Sequence, residues 1–298
     1  MENIIEVSHL TKSYNFGKGV FDITFNVIKG EVLGFLGPNG AGKSTCMRHL
    51  MGFSIPDSGY TRIKGFDCAH EYFNTKKEIG YLPGEPTLPK GLNGDDFIKM
   101  MSGLKGVYNK ERIDYLIKTF EVDTKQDIKR MSIGERRKMA IVTAFMTDAD
   151  VLLLDEPTSG LDPRMQEIFI NFILEEKKRG KTILLSSHIF SEVEKLCDRI
   201  IIIKDGHIVS EVSKNDIELS LQKTFKLYFN NAASYEKFIL NNEYKSAVKK
   251  EMSVSVMINN KDLNKFIDNI SNYNIKRFEE ITVTLEDYFM GFYKKDVN

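Results

Sequence analysis

Tryptophan is absent from all 298 residues, so an indole introduced at any position would be the sole reporter of its kind. Cysteine is scarce. Cys46, Cys68 and Cys197 are odd in number, far apart and without paired metal-ligand spacing, which predicts reduced thiols in a reducing compartment. Net charge is missing as well, with 42 basic residues against 42 acidic ones. Such a chain has no overall field to draw in nucleic acid or an anionic membrane, and no nucleic-acid partner is expected. No apolar run approaches the ~18 residues that cross a bilayer. The opening Met1-Glu2-Asn3-Ile4-Ile5-Glu6 is acidic and alternating, so it reads as a strand and not as a signal peptide. The chain is therefore expected to stay in the cytoplasm. Internal repeats and low-complexity tracts are lacking too.

What is present is an ordinary globular composition, 42% hydrophobic, in a length that suits one large domain and a smaller one. Residues 2–8 and 20–28 alternate like antiparallel strands. A third strand near Tyr60–Lys64 is entered through the turn Pro56-Asp57-Ser58-Gly59. Continuous apolar runs at Val32–Leu36, Val151–Leu154, Thr182–Ser186 and Ile200–Ile203 predict a buried parallel sheet. Between them, Asp95–Met101, Lys110–Phe120 and Glu135–Met146 carry apolar residues at helical spacing, a helical insertion spanning about 85–148. The predicted class is α/β over residues 1–212. Residues 213–298 alternate strand and helix differently: Thr224–Phe229, Tyr235–Leu240, Ser253–Ile258, Asp262–Ile270, Ile275–Thr282 and Leu285–Tyr293. That pattern predicts a small α+β accessory module of ferredoxin-like type. Its core is expected from Phe225, Leu227, Phe229, Val254, Val256, Phe266, Ile270 and Phe289.

The most informative segment is Gly37-Pro38-Asn39-Gly40-Ala41-Gly42-Lys43-Ser44-Thr45, which fits G-x-x-x-x-G-K-[ST]. A strand precedes it and a helix, Ser44–Met51, follows. Glycines let such a loop turn its N–H groups inward around phosphate oxygens, and the helix N-terminus adds partial positive charge. Lys43 would reach the β- and γ-phosphates of a nucleotide and the Ser44 hydroxyl would bind Mg²⁺. A second motif, Val151–Leu154 followed by Asp155-Glu156, delivers two acids to the carboxyl edge of the sheet, where ligands of open α/β folds sit. Asp155 is the candidate Mg²⁺ ligand, and Glu156 the candidate for polarising an attacking water. A third, Met131-Ser132-Ile133-Gly134-Glu135, reads as a capping box at a helix start.

Taken in order, these motifs resemble those of ABC-transporter ATPases over residues 1 to about 212. Ser132 and Gly134 fit the family's signature motif, while Met131, Ile133 and Glu135 depart from it. The resemblance implies a P-loop core that binds ATP and Mg²⁺ and pairs with a second copy of itself or a paralogue. The N-terminus of the Ser132–Glu135 helix would then face the γ-phosphate held by the other protomer. Ser159-Gly160-Leu161-Asp162 resembles the loop that touches the partner subunit. His188 resembles the family's γ-phosphate-sensing histidine, and Tyr14 occupies the place of the residue that stacks on adenine. At Ile79-Gly80-Tyr81-Leu82-Pro83-Gly84-Glu85-Pro86, where the family carries a metal-reaching Gln, this chain has Gly84. Either Glu85 or a water takes that place, or the coordination is one ligand short, or the register shifts by one and Glu85 is itself the equivalent residue. Tyr81–Glu85 and Thr284–Phe289 resemble the exporter-type ATPases that work with ABC-2-type permeases, including bacitracin- and lantibiotic-resistance systems. The implied function is ATP hydrolysis that drives a membrane permease, with the chain peripheral on the inner face of the membrane. A permease-independent regulatory ATPase is the alternative.

The missing tryptophan makes one expectation easy to check. Tyr14→Trp should change fluorescence when ATP is added, because the indole would stack on adenine. No change at saturating ATP would remove position 14 from the nucleotide site.

Overall fold

A continuous apolar run is stable as a strand only when both faces of its sheet are covered. In the computed structural model, which describes residues 2–213, 223–241, 246–250, 252–258 and 262–281, the apolar runs meet that condition. The chain divides into two compact units, Met1–Ser213 and Lys214–Asn298.

The first unit opens with β1 (Asn3–Ser13), β2 (Gly19–Ile28) and β3 (Val32–Leu36), followed by helix α1 (Lys43–Leu50). Then come β4 (Ser58–Ile63), β5 (Phe66–Asp67), α2 (Tyr72–Glu78) and β6 (Ile79–Leu82). The helices α3 (Gly94–Lys105), α4 (Lys110–Thr119) and α5 (Ile133–Phe145) form the insertion. The unit closes with β7 (Val151–Asp155), α6 (Pro163–Lys178), β8 (Thr182–Ser187), α7 (Phe190–Leu196), β9 (Arg199–Lys204) and β10 (His207–Ser213).

Two sheets organise this unit. One is antiparallel in the order β2-β1-β4-β5. The other runs β10-β9-β3-β8-β7-β6, parallel except for the edge strand β10. A single core fills the space between them. It includes Ile5, Leu10, Val20, Phe25, Phe35, Met47, Leu50, Leu153, Leu184 and Ile201, so α1 is buried where the two sheets meet. The insertion is anchored by aromatic rings: Phe120 and Phe145 meet Phe172 of α6 edge-on, with centroids 5.2 and 4.9 Å away. Beneath them Arg112 of α4 pairs with the buried Glu176 of α6 at 2.9 Å.

The second unit contains β11 (Lys223–Phe229), α8 (Ala232–Asn241), β12 (Ser246–Lys250), β13 (Ser253–Ile258), α9 (Leu263–Ile270) and β14 (Ile275–Ile281). This β-α-β-β-α-β order, in an antiparallel sheet β12-β13-β11-β14, is the ferredoxin-like arrangement. Its core joins Phe225, Leu227, Phe229, Val254, Val256 and Phe266 to Phe238 and Ile258, with Ile270 packed against them.

Elements missed by periodicity are short, amphipathic or at edges: α2, β5, β6, α6, α7, β10 and β12. Strand β12, Ser-Ala-Val-Lys-Lys, has too little apolar alternation to be read alone and is set by pairing with β13. β1 also runs five residues beyond the predicted end at position 8, through a register irregularity between Val7 and Leu10. The expected helix Leu285–Tyr293 and the core residue Phe289 lie outside the described residues.

Candidate active site

Four neighbouring strands, β3, β8, β7 and β6, run parallel, so their carboxyl ends share one edge of the sheet. The loop after β3 holds residues 37–42, the end of β7 holds Asp155 and Glu156, β8 leads into His188, and β6 leads into Gly84 and Glu85. A cleft of about 630 Å³ along this edge is lined by Asn39, Ser44, Glu85, Asp155, Glu156 and His188, among others.

The loop Gly37–Gly42 turns directly into α1. Gly42 caps the helix with φ +111°, and a Cβ there would come within 2.6 Å of the Val20 side chain, so only glycine fits. Lys43 is 5% exposed. Its ammonium curls over the loop, donating to the carbonyls of Gly37 at 2.6 Å and Pro38 at 3.2 Å. It also pairs with Glu156 Oε1 at 3.1 Å. On the other oxygen of that carboxylate, Oε2 accepts from His188 Nδ1 at 2.6 Å. Glu156 is thus held between a lysine from the phosphate-loop helix and a histidine from the next strand end.

Asp155 is buried, and its Oδ1 accepts from Ser186 Oγ at 2.5 Å. A Cβ on Gly84 would stand 3.3 Å from Asp155 Oδ2, so position 84 directly faces this carboxylate. Glu85, exposed, lines the same cleft one residue on. Ser44 and Asp155 share the cleft as a hydroxyl and a carboxylate. That set fits Mg²⁺, which takes one or two carboxylates together with nucleotide phosphates and needs no all-protein cage. Among the described residues no group of three His, Cys, Asp or Glu could hold a metal by itself. Burial, with the charge of Asp155 nearby, pushes the Tyr81 hydroxyl up to about 12, so this cleft-lining residue remains a neutral donor.

Ser132, Gly134 and Glu135 are not among the residues lining this cleft. They form the reciprocal capping box at the start of α5: Ser132 Oγ accepts from the Glu135 N–H at 3.2 Å, and Glu135 Oε2 accepts from the Ser132 N–H at 2.7 Å. Those backbone bonds hold the Glu135 carboxyl below its usual range. The helix start is open to solvent, with Ile133 72% exposed, and it adjoins Gly160 of the Ser159–Asp162 loop. Tyr14 is 43% exposed on the turn between β1 and β2, with its N–H bonded to the Lys18 carbonyl, and it too lies outside the cleft lining.

Two residues at the site escaped sequence reading. Ser186, a polar residue inside the apolar run of β8, bonds both acids: its Oγ donates to Asp155 and accepts from the Glu156 N–H at 3.0 Å. Arg137 lies within the buried stripe of α5 and is 1% exposed. It donates to backbone carbonyls after β6 and after β7. Burial pulls its guanidinium down to about 10 against the charges of Asp155 and Glu156, so it is a cation at neutral pH. A charge at the helical spacing of core residues was the available signal.

Residues 20–159 match the family model described as ABC transporter. The ATP-binding protein YhcH of Bacillus subtilis, itself named only as an uncharacterized ABC transporter component, is 30% identical over 97% of this chain and 96% of its own length. The chain belongs to the ABC transporter family as an ATP-binding subunit. The daunorubicin/doxorubicin resistance ATP-binding protein DrrA of Streptomyces peucetius is 35% identical to this subunit, over 73% of this chain and 67% of that protein. The bacitracin transport ATP-binding protein BcrA of Bacillus licheniformis is 34% identical, over 71% and 70%. A solved ATP-binding subunit of an ABC transporter superposes with a TM-score of 0.66 at 28% identity, covering 72% of this chain and 92% of that one. The cassette MJ0796, solved as a dimer with ADP and phosphate, shares the fold at 22% identity and a TM-score of 0.64, over 71% and 99%. The subunit is an ATPase. No helix among the described residues is long and apolar enough to cross a membrane.

Glu156→Gln keeps the size of the side chain, exchanges one acceptor oxygen for an amide donor, and removes the candidate base. It should leave ATP binding intact and lower turnover by roughly 10²-fold or more, the usual contribution of a general base. ATPase assays beside nucleotide titration check this, and a wild-type rate would take Glu156 out of the chemistry.

Proposed function

We propose that this ATPase powers export through an ABC-2-type permease, and that it does so as a pair of subunits enclosing two ATP molecules. The carrying observation is the separation within one chain of the phosphate loop and the solvent-facing start of α5. The cleft beside Lys43 has cations, a candidate base and a candidate metal-binding acid, and the start of α5 is not part of its lining. The start of α5, with Ser132 and Gly134, is open to solvent, where its dipole and the N–H groups outside the capping box fit a phosphate presented by another copy. Each composite site would combine Lys43, Ser44, Asp155 and Glu156 of one copy with Ser132 and Gly134 of the other.

In this reading the γ-phosphate of ATP competes with Glu156 for Lys43, and His188 keeps hold of the carboxylate. Glu156 then accepts a proton from the attacking water on one oxygen, while the bond from His188 keeps the carboxylate aimed. Ser44 and Asp155, with Glu85 nearby, would hold Mg²⁺, which offsets phosphate charge when bound. Export is favoured by the likeness to the drug-resistance protein DrrA and the bacitracin transport protein BcrA. A permease would dock at the groove of about 430 Å³ lined by Phe53, Phe73, Tyr81, Met101 and Leu104, the last two from the insertion. Phe53, Phe73 and Leu104 are exposed there, and such a patch marks an interaction site on a protein surface.

Affinity purification from membranes in mild detergent should recover a polytopic membrane protein with this subunit. Recovery of none, from membranes that do contain the subunit, would favour a permease-independent role. The paired site has its own test. Ser132→Arg should spare ATP binding but block ATP-driven dimerisation in the Glu156→Gln background, because a bulky cation then occupies the interface. Mixing it with Lys43→Ala subunits gathers both lesions in one composite site and leaves the other whole, so dimers should reappear on size exclusion. Dimerisation that is never rescued would rule out the composite arrangement.

A further inference from the structure

Arg137 stands one helical turn beyond Ser132, and its surroundings are unusual for a buried cation. None of its five hydrogen-bond acceptors is a carboxylate. Nε donates to the Pro157 carbonyl at 3.1 Å, and Nη1 to those of Pro83 at 2.5 Å and Gly84 at 3.1 Å. Nη2 donates to the Asp155 carbonyl at 3.3 Å and to that of Glu156. Enclosing a charge among neutral dipoles carries a desolvation cost that a well-packed apolar side chain would avoid. What the guanidinium achieves is geometric: one rigid fork ties the segment after β6 to the segment after β7.

The chain needs such a tie at Glu156. Its φ is +47°, a left-handed conformation that is strained for a residue with a Cβ and persists only where surrounding bonds enforce it. On one side of this residue the N–H is fixed by the Ser186 carbonyl at 3.2 Å and by Ser186 Oγ at 3.0 Å. On the other side the carbonyl is fixed by Arg137. Between these two anchors the side chain is aimed at Lys43 and His188. The same guanidinium secures the backbone of Gly84, which has no side chain of its own to bridge to Asp155.

We propose that Arg137 is a positioning residue for ATP hydrolysis: it enforces the strained backbone that aims Glu156 and holds the Gly84 segment beside Asp155. This rests on Glu156 as the base. Its bonded partners are all backbone carbonyls, so it acts through the loop it grips.

Arg137→Met keeps the aliphatic stem and removes every donor, whereas Arg137→Lys keeps the charge but replaces the fork with a single head. Both are made in the full chain, beside Glu156→Gln, and assayed well below their melting temperatures. Turnover is expressed per binding-competent site, counted by saturation with a fluorescent ATP analogue. The expected result is a kcat about tenfold or more below wild type for Met, with Lys between, and nucleotide Kd within about threefold; misplacing a catalytic group by 1 Å can cost ~10²-fold. A residue needed only for folding would lower the melting temperature and the number of sites but leave kcat per site unchanged, and that outcome overturns the proposal. Should Arg137→Met be insoluble, Arg137→Lys decides alone by the same criterion. The two premises fail separately. Full activity of Glu156→Gln removes the base, whereas an inactive Glu156→Gln beside a fully active Arg137→Lys removes only the positioning role.

Discussion

The parallel alignment of β3, β8, β7 and β6 is the constraint on which the site depends. Strands in a parallel ladder all point the same way, so every loop that leaves a carboxyl end emerges on the same edge. Residues 43, 84, 155 and 188, far apart in sequence, are neighbours there for that reason alone. The register is fixed by full burial: Asp155 pairs with Ser186, and Leu36 with Ser187. A slip of one residue would turn apolar side chains away from the core between the sheets, so burial also protects the chemistry.

Within that frame the electrostatics are organised around one carboxylate. Glu156 is bound on one oxygen by Lys43 and on the other by His188, while Lys43 is also turned toward the carbonyls of its own loop. A nucleotide would bring negative charge into the same cleft and compete for the lysine. In the proposed mechanism that competition would link occupation of the phosphate loop to the freedom of Glu156. Ser186 and Arg137 bond the backbone of Glu156 at its N–H and at its carbonyl.

The second unit has its own core of phenylalanines and valines and an antiparallel sheet. The candidate nucleotide residues all lie in the first unit. The relative YhcH extends across both units, whereas DrrA and BcrA match over about the length of the first. The candidate nucleotide residues and the ferredoxin-like unit thus occupy different stretches of the chain.

The sequence by itself determined the α/β class, four of the five parallel strands and the phosphate loop, because each is written in contiguous residues. Apolar runs must be buried, and a glycine-rich turn before Lys43-Ser44 admits few other uses. The capping box at Ser132–Glu135 was equally legible, since its two hydrogen bonds span only three residues. Strand β12 was not, because its pairing with β13 and not its own composition makes it a strand. Ser186 and Arg137 were hidden for a related reason: each acts on residues some 18 to 54 positions away, through bonds that exist only after the sheet has formed. Gly84 could be seen to break a pattern, yet only the fold shows it facing Asp155. Local sequence set which groups could do chemistry. Tertiary structure decided which of them share an edge, and how the backbone beneath Glu156 is held, because those distances are fixed by long-range packing.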